Sequence, residues 1–393
     1  MYKQIFLKRG KEESLKRFHP WIFSGAIHHM DEGIEEGETV RVITAAGEFI
    51  AVGHYQIGSI AVRVLSFEDI EINTDFWCER LQSALDVRIG VGIADSPTNN
   101  TYRLVHGEGD YLPGLVIDCY GSTAVMQAHS VGMHVYRNEI CQALVQVMGD
   151  RIANVYYKSE TTLPYKADLH QENGFLVGGD ASNVAMENGL KFHIDWLRGQ
   201  KTGFFVDQRE NRSLLEHYAK GKSVLNMFCY TGGFSVYAMR GDAKQVHSVD
   251  SSAKAIELTN DNVALNFPGD ARHEAFCEDA FKYLDEHDQQ YDLIVLDPPA
   301  FAKHRAALRN ALKGYTRLNV KGLQRIKKGG ILFTFSCSQV VTKDNFRNAV
   351  FTAAAQVGRK VRILHQLHQP ADHPINIYHP EGEYLKGLVL YVE

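Results

Sequence analysis

Leu293-Ile294-Val295-Leu296-Asp297-Pro298-Pro299, with Phe333-Thr334-Phe335-Ser336-Cys337-Ser338 farther along, is the pair of segments that decides the fold class. Each is an apolar run that ends on a reactive side chain, a carboxylate in the first and a thiol in the second. Continuous rather than alternating apolar runs predict strands buried on both faces, as in the parallel sheet of an α/β protein. Ligands of such sheets bind beyond the carboxyl ends of the strands, so Asp297 and Cys337 are expected to face one crevice. A thiol opposite a carboxylate suits attack on a pyrimidine ring. Sulfur adds to C6, C5 becomes nucleophilic, and Asp297 holds N3 and the exocyclic edge. A free cysteine titrates near ~8.5 and only the thiolate attacks, so the site must also bring positive charge or a base. The competing reading makes Cys337 an ordinary core cysteine, since free cysteines are among the most buried residue types.

Ser223-Val224-Leu225-Asn226-Met227-Phe228-Cys229-Tyr230-Thr231-Gly232-Gly233-Phe234-Ser235 predicts a strand, a glycine turn and a helix, the glycines letting backbone approach a ligand. The next run, Gln245-Val246-His247-Ser248-Val249-Asp250, ends on an acid, where doubly wound folds hold ribose hydroxyls. A dinucleotide site would share that spacing, but the turn lacks the G-x-G-x-x-G pattern, which weakens a nicotinamide or flavin reading. Asp279 follows a further apolar stretch around Phe276 and is expected near an adenine amino group. Strand-terminal acids at Asp250, Asp279 and Asp297 follow the order of an S-adenosylmethionine fold.

Taken together, Lys201-Thr202-Gly203-Phe204-Phe205-Val206-Asp207-Gln208-Arg209-Glu210-Asn211-Arg212, the Gly232-Gly233 turn, Asp297-Pro298-Pro299-Ala300-Phe301 and Ser336-Cys337-Ser338 resemble the RlmI-type 23S ribosomal RNA cytosine-C5 methyltransferases. The resemblance spans nearly the whole chain. His19-Pro20-Trp21-Ile22-Phe23-Ser24-Gly25-Ala26-Ile27 is similar to the start of that family's PUA domain, and Gly107-Glu108-Gly109-Asp110-Tyr111-Leu112-Pro113-Gly114-Leu115 to the opening of its central domain. It implies an N-terminal PUA-like β-barrel, a central α/β domain and a C-terminal Rossmann-like class I methyltransferase domain using S-adenosylmethionine. It also implies an RNA substrate, 23S ribosomal RNA. Catalysis is then expected from Cys337 and Asp297. The donor site is expected to draw on Asp207, Gln208, Asn226, Phe228, Thr231, Gly232, Gly233, Asp250, Asp279 and Asp297. Position 300 is alanine where the larger two-cysteine RNA cytosine methyltransferases carry a second cysteine, so only one thiol is available and the group that resolves the adduct stays open. C5 methylation of uridine, methylation of guanine by a related fold, and a non-catalytic RNA-binding factor are the competing functions.

At 393 residues with 45% hydrophobic content, the chain is long enough for two or three packed domains. The expected blocks are residues 1–72, a small β-barrel; 73–188, the central domain; and 189–393, the methyltransferase, with a boundary near Asn188-Gly189. In the central block a helix is expected over Asp75 to Val91 and another over Val135 to Val147. A hairpin should turn near Gly121, and further strands near Ala153 to Tyr157 and Phe175 to Val177. The six cysteines form no C-x-x-C pair, which suits a reducing cytoplasm and argues against structural zinc. No apolar run suits a signal peptide or a membrane span, so a cytoplasmic protein without a membrane partner is expected. His365, His368, His373 and His379 lack a ligand spacing, and no metal is expected. Monomer and homodimer are both open.

A net charge of −5 argues against nucleic acid until its distribution is considered. From Pro298 to Gly330 the chain carries Lys303, Arg305, Arg309, Lys313, Arg317, Lys321, Arg325, Lys327 and Lys328 and no acid. Arg305 to Arg325 recur every four residues, a slowly turning stripe on a helix whose other side is filled by Leu308, Leu312, Tyr315 and Leu318, with Gly314 as a possible interruption. A solvated helix face normally mixes signs, because like charges at that spacing repel. Arg305, Arg309, Lys313 and Arg317 are therefore expected on RNA phosphates, and Lys8 and Arg9 at the head of the chain are expected to form a second RNA contact. Arg209 and Arg212 are open between donor carboxylate, phosphate and an internal pair with Glu210 or its neighbours.

Overall fold

A computed structural model describes residues 2–164, 169, 172–180 and 182–393. By contact they divide into two units. One comprises residues up to Met186 together with 195–206 and 371–382; the other comprises 187–194, 207–370 and 383–393.

The first unit opens with a six-stranded sheet of β1 (Gln4–Leu7), β2 (Trp21–Phe23), β3 (Ile27–Met30), β4 (Thr39–Ile43), β5 (Phe49–Tyr55) and β6 (Ile60–Ser66), in the order β2-β6-β5-β4-β1-β3. Val40, Val42, Val62 and Val64 fill its interior, β-branched side chains suited to a pleated surface. Next come α1 (Thr74–Gly90), β7 (Thr101–His106), β8 (Leu115–Tyr120), β9 (Thr123–Ala128), α2 (Val131–Val135), α3 (Arg137–Met148), β10 (Asn154–Tyr157) and β11 (Gly174–Val177). Their five-stranded sheet runs β11-β10-β9-β8-β7. The β8–β9 hairpin turns through Gly121 at φ +59° as the sequence predicts, and α1 begins where the Asn73 side chain accepts from the Phe76 amide. The two sheets pack together: the His54 ring stacks on Tyr136 at 4.9 Å, and a Cβ on Gly132 would stand 2.2 Å from His54.

Segment 371–382 is held in this unit by charge. Arg88, fully buried, grips Asp110 with both terminal nitrogens and donates from Nη2 to the Asp372 carbonyl at 2.7 Å. The Asp372 carboxylate in turn accepts from the Arg103 amide at 3.0 Å.

After β12 (Val184–Glu187), Asn188 and Gly189 turn the chain at φ 50° and 81° into β13 (Leu190–His193). The second unit continues through α4 (Arg209–Ala219), β14 (Ser223–Met227), α5 (Gly233–Arg240), β15 (Gln245–Asp250), α6 (Ala253–Asn266), β16 (His273–Cys277), α7 (Ala280–Glu286) and β17 (Tyr291–Leu296). It ends with α8 (Leu308–Arg325), β18 (Ile326–Ser336), α9 (Lys343–Val357), β19 (Val361–Leu367) and β20 (Lys386–Val392). Seven strands lie in the order β16-β15-β14-β17-β18-β20-β19. The first five are mutually parallel, and β20 runs antiparallel to both its neighbours. Strand order reverses between β14 and β17, the switch point at which open α/β sheets bind ligands. The runs that read as doubly buried are so: Leu293, Ile294, Val295 and Leu296 are all inaccessible to solvent. Among the described residues no helix is long and apolar enough to cross a membrane.

Candidate active site

Parallel register pairs Val295 with Phe333 and Leu296 with Thr334, so the ends of β17 and β18 lie side by side. Asp297 is the next residue after one, Cys337 the next after the other. The half-buried thiol lies 3.8 Å from the Pro298 carbonyl oxygen and donates to it weakly. The carboxylate and thiol that the sequence pairs are thus on adjoining turns. Asp297 Oδ2 accepts from Gln208 Nε2 at 3.0 Å, and Gln208 Oε1 accepts from Asn211 Nδ2 at 2.6 Å. Asp207, one residue earlier, accepts from the Tyr384 hydroxyl at 2.7 Å. Asp207 and Gln208 are both buried at the entry to α4, so that helix fixes the direction of Asp297.

Beyond β14 the backbone is tightly wound. Phe228 and Tyr230 adopt left-handed φ of 58° and 47°, and Gly232 follows at 75°. A Cβ at Gly232 would stand 2.7 Å from the Thr259 methyl, so the position demands glycine both conformationally and sterically. Asp250 braces this loop from the end of β15: Oδ2 accepts from the Tyr230 amide at 3.1 Å and Oδ1 from the Ser252 amide at 2.9 Å. The buried Thr231 offers its carbonyl to Asn262 Nδ2 at 2.9 Å. Asn226 donates to Ser235 Oγ at 2.9 Å and keeps Oδ1 buried without a partner among the described residues. Asp279 caps α7, its Oδ1 accepting from the Phe281 and Lys282 amides at 3.0 Å each.

Of the alternatives the sequence leaves open for Arg212, the structure shows an internal pair, with a partner the sequence does not name. It pairs neither with Glu210, which is exposed, nor with a surface anion; Nε and Nη2 bind the buried Glu187 carboxylate at 2.9 and 2.7 Å. Glu187 also accepts from Tyr237 OH at 2.9 Å, and the Arg212 stem lies 3.0 Å from where a Cβ on Gly233 would be. Its charge is consumed inside the fold, bracing the glycine turn.

The basic segment divides in two. Arg305 precedes α8; it, Arg309 and Lys313 are exposed and without an ion-pair partner among the described residues, and Arg317 lies over the Phe281 ring at 4.4 Å. Lys321 and Arg325 instead pair with Asp285 and Asp288. Gly314 does not interrupt the helix: it lies under the Phe301 ring, where a Cβ would come within 3.0 Å, so close packing rather than a break explains it. Arg309, Lys313 and Arg317 line one wall of a groove of about 690 Å³, and Asn345, Asn348, Thr352 and Gln356 of α9 line the other. Lys8 and Arg9 are exposed after β1, with Lys8 Nζ donating to the Gly25 carbonyl at 2.9 Å. Of the C-terminal histidines, His365 bonds Tyr218 OH at 2.8 Å and His373 bonds Asp372 at 3.0 Å.

Lys386, Tyr384 and Tyr315 also surround the site; the sequence reading placed Tyr315 only on the apolar side of its helix and gave Lys386 no role. Lys386 Nζ donates to the Ser338 carbonyl at 2.7 Å, and Tyr315 OH lies 3.0 Å from Ser338 Oγ. The available signal was Lys386 itself, a lone cation heading the apolar run Gly387-Leu388-Val389-Leu390.

Residues 166–376 match the S-adenosylmethionine-dependent methyltransferase family, and residues 5–67 match the PUA-like domain. Proteins named ribosomal RNA large subunit methyltransferase I are similar along their whole length. The Alteromonas mediterranea protein is 39% identical over 100% of this chain and 99% of its own, and that of Vibrio parahaemolyticus is 40% identical over 100% of both. A Streptococcus mutans protein assigned as a SAM-dependent methyltransferase superposes with a TM-score of 0.84 at 25% identity over 99% of both chains. A second solved structure, of an assigned methyltransferase complexed with SAH, gives 0.85 at the same identity and coverage. With a PUA-like domain at the N-terminus, a methyltransferase domain after it and full-length relatives of one name, the chain belongs to the ribosomal RNA large subunit methyltransferase I family of S-adenosylmethionine-dependent enzymes.

Proposed function

We propose that this protein methylates C5 of a cytosine in large-subunit ribosomal RNA through a transient Cys337 adduct. The observation that carries the reading is the Cys337 thiol at the Pro298 carbonyl, on the turn next to Asp297. The named relatives supply the substrate class.

The residues around β14 fit the donor. Gly232 leaves no room for a side chain, Asn226 holds a buried acceptor without a partner among the described residues, and Asp250 stands at the end of the second strand. Asp250 would hold the ribose, and the turn from Phe228 to Gly233 the amino-acid portion. S-adenosylmethionine, when bound, supplies an electrophilic methyl group. The chain's own part is nucleophilic and positional. Cys337 thiolate forms a bond to C6, the electron pair moves to C5, and a proton shared between Asp297 and N3 offsets the charge gathering on that edge. C5 accepts the methyl group, its proton passes to water, and the C6–sulfur bond breaks to return the thiolate. The base must leave its stack to enter. Arg305, Arg309, Lys313 and Arg317 are proposed to hold the flanking phosphates, and Lys8 and Arg9 to make a second, separate RNA contact.

Incubating the enzyme with labelled S-adenosylmethionine and large-subunit ribosomal RNA, then resolving nucleosides by mass spectrometry, tests the reading. Label in 5-methylcytidine is expected. Label in 5-methyluridine or a methylguanosine reassigns the base, and no label despite donor binding points to an RNA-binding factor.

A further inference from the structure

Among the described residues Lys386 is the one cation buried against the Cys337 turn, and nothing in the reaction described so far uses it. It heads β20, where register sets it opposite Ser336, and its Nζ reaches the Ser338 carbonyl at 2.7 Å. The side chain therefore meets the residues on either side of Cys337. It is 4% exposed and has no carboxylate within ion-pair distance among the described residues. A buried ammonium without a counter-charge is costly, and a group in that position loses its proton readily or acquires an anion. Burial pushes Lys386 down to about 8, against an upward pull from Cys337 that exceeds those of its other charged neighbours. Those others, Glu383 and Lys343, act in opposite directions and are ion-paired with each other, so their fields at Lys386 largely cancel. Tyr315, from α8, also meets this turn through Ser338 Oγ, and the Asp297 carboxylate stands on the adjoining one.

We propose that Lys386 activates Cys337, taking the thiol proton and holding the resulting thiolate as its ion partner. The Sγ–H bond breaks and an Nζ–H bond forms; the proton stays on Nζ while sulfur adds to C6 and departs again as thiolate. This satisfies the requirement, evident from the sequence, that the site bring positive charge or a base to the thiol. Lys386 touches no substrate atom in this scheme and is a positioning residue. The proposal rests on Cys337 being the nucleophile.

Iodoacetamide alkylation of the full chain, followed on the Cys337 peptide by mass spectrometry from pH 5 to 10, reads the thiolate without needing RNA or donor. Lys386→Gln keeps a hydrogen-bond donor for the Ser338 carbonyl but no charge; Lys386→Arg keeps the charge. The glutamine variant should move the alkylation profile up by one pH unit or more, making the reaction at neutral pH about tenfold slower, while arginine retains most of the rate. A glutamine profile that overlays the unmutated one reduces Lys386 to a structural staple and overturns the proposal. So does an unmutated Cys337 whose alkylation midpoint lies at or above the ~8.5 of a free cysteine, a result that needs no variant to fold. Turnover by Cys337→Ala would sink the nucleophile reading instead, and leaves the alkylation result standing as a statement about the thiol alone.

Discussion

The duties proposed for Cys337 and Asp250 are separable, and single substitutions should separate them. Cys337→Ala should bind S-adenosylmethionine as before and lose methyl transfer, because binding cannot replace a covalent step. Single-turnover assays and calorimetry on one preparation check both halves, and residual turnover would exclude the thiol as nucleophile. Asp250→Ala should lose a charge-assisted contact of about 1.5 to 3 kcal/mol, a roughly ten- to hundredfold weaker donor affinity. Unchanged affinity in calorimetry would remove Asp250 from the ribose. Its bonds to the Tyr230 and Ser252 amides mean part of that loss arises from a loosened loop. Residues of this kind are legible in a sequence because a strand's end is visible: an apolar run stops, and the next side chain faces the crevice. Glu187 and Lys386 are not legible, since what gives them meaning is a partner brought from elsewhere in the chain, Arg212 for one and the Ser338 carbonyl for the other.

At the scale of elements, α8 shows what a charge pattern conveys and what it conceals. The four-residue recurrence correctly announces a helix with Tyr315 and Leu318 inside. It gives no sign that α7 and its following turn supply Asp285 and Asp288 to the far end of the stripe. Only the near end therefore has unneutralised charge to offer a phosphate. Replacing Arg305, Arg309 and Lys313 with glutamine should lower the log–log salt slope of RNA binding by about 2, at ~0.7 per phosphate contact on a single strand. Replacing Lys321 and Arg325 should leave the slope nearly unchanged, because Asp285 and Asp288 already offset those two charges and little counterion is there to release. Filter binding across a salt series compares the two variants directly. Equal slopes would return the near end of α8 to an ordinary solvated face. Gly314 carries the same lesson: a residue that reads as a breaker is here the place where Phe301 needs room.

For the whole molecule, parallel strands and their terminal acids were foreseeable, since each is a local run read in order. The chain's return to its first unit was not, because that return depends on a few buried polar contacts rather than on any periodicity. Asp372 is where those contacts meet, between Arg88 and Arg103. Asp372→Ala should destabilise the first unit by about 1 to 3 kcal/mol, the cost of leaving the Arg103 amide without its carboxylate acceptor, while Arg88 keeps its bond to the backbone carbonyl. Hydrogen exchange resolves this by region: amides of β7, β8 and β9 should lose protection while those of β14 and β17 keep theirs. A uniform loss, or none, would deny segment 371–382 its anchoring role. That segment also carries a consequence in time. Domains generally fold as units, amino-terminal ones first, while the ribosome is still adding residues. Here the first unit includes a partner 284 residues farther along the chain, so the buried Arg88 guanidinium lacks its Asp372 carbonyl until that residue has been made. Until then the nascent first unit would stay exposed to proteases that the finished one resists.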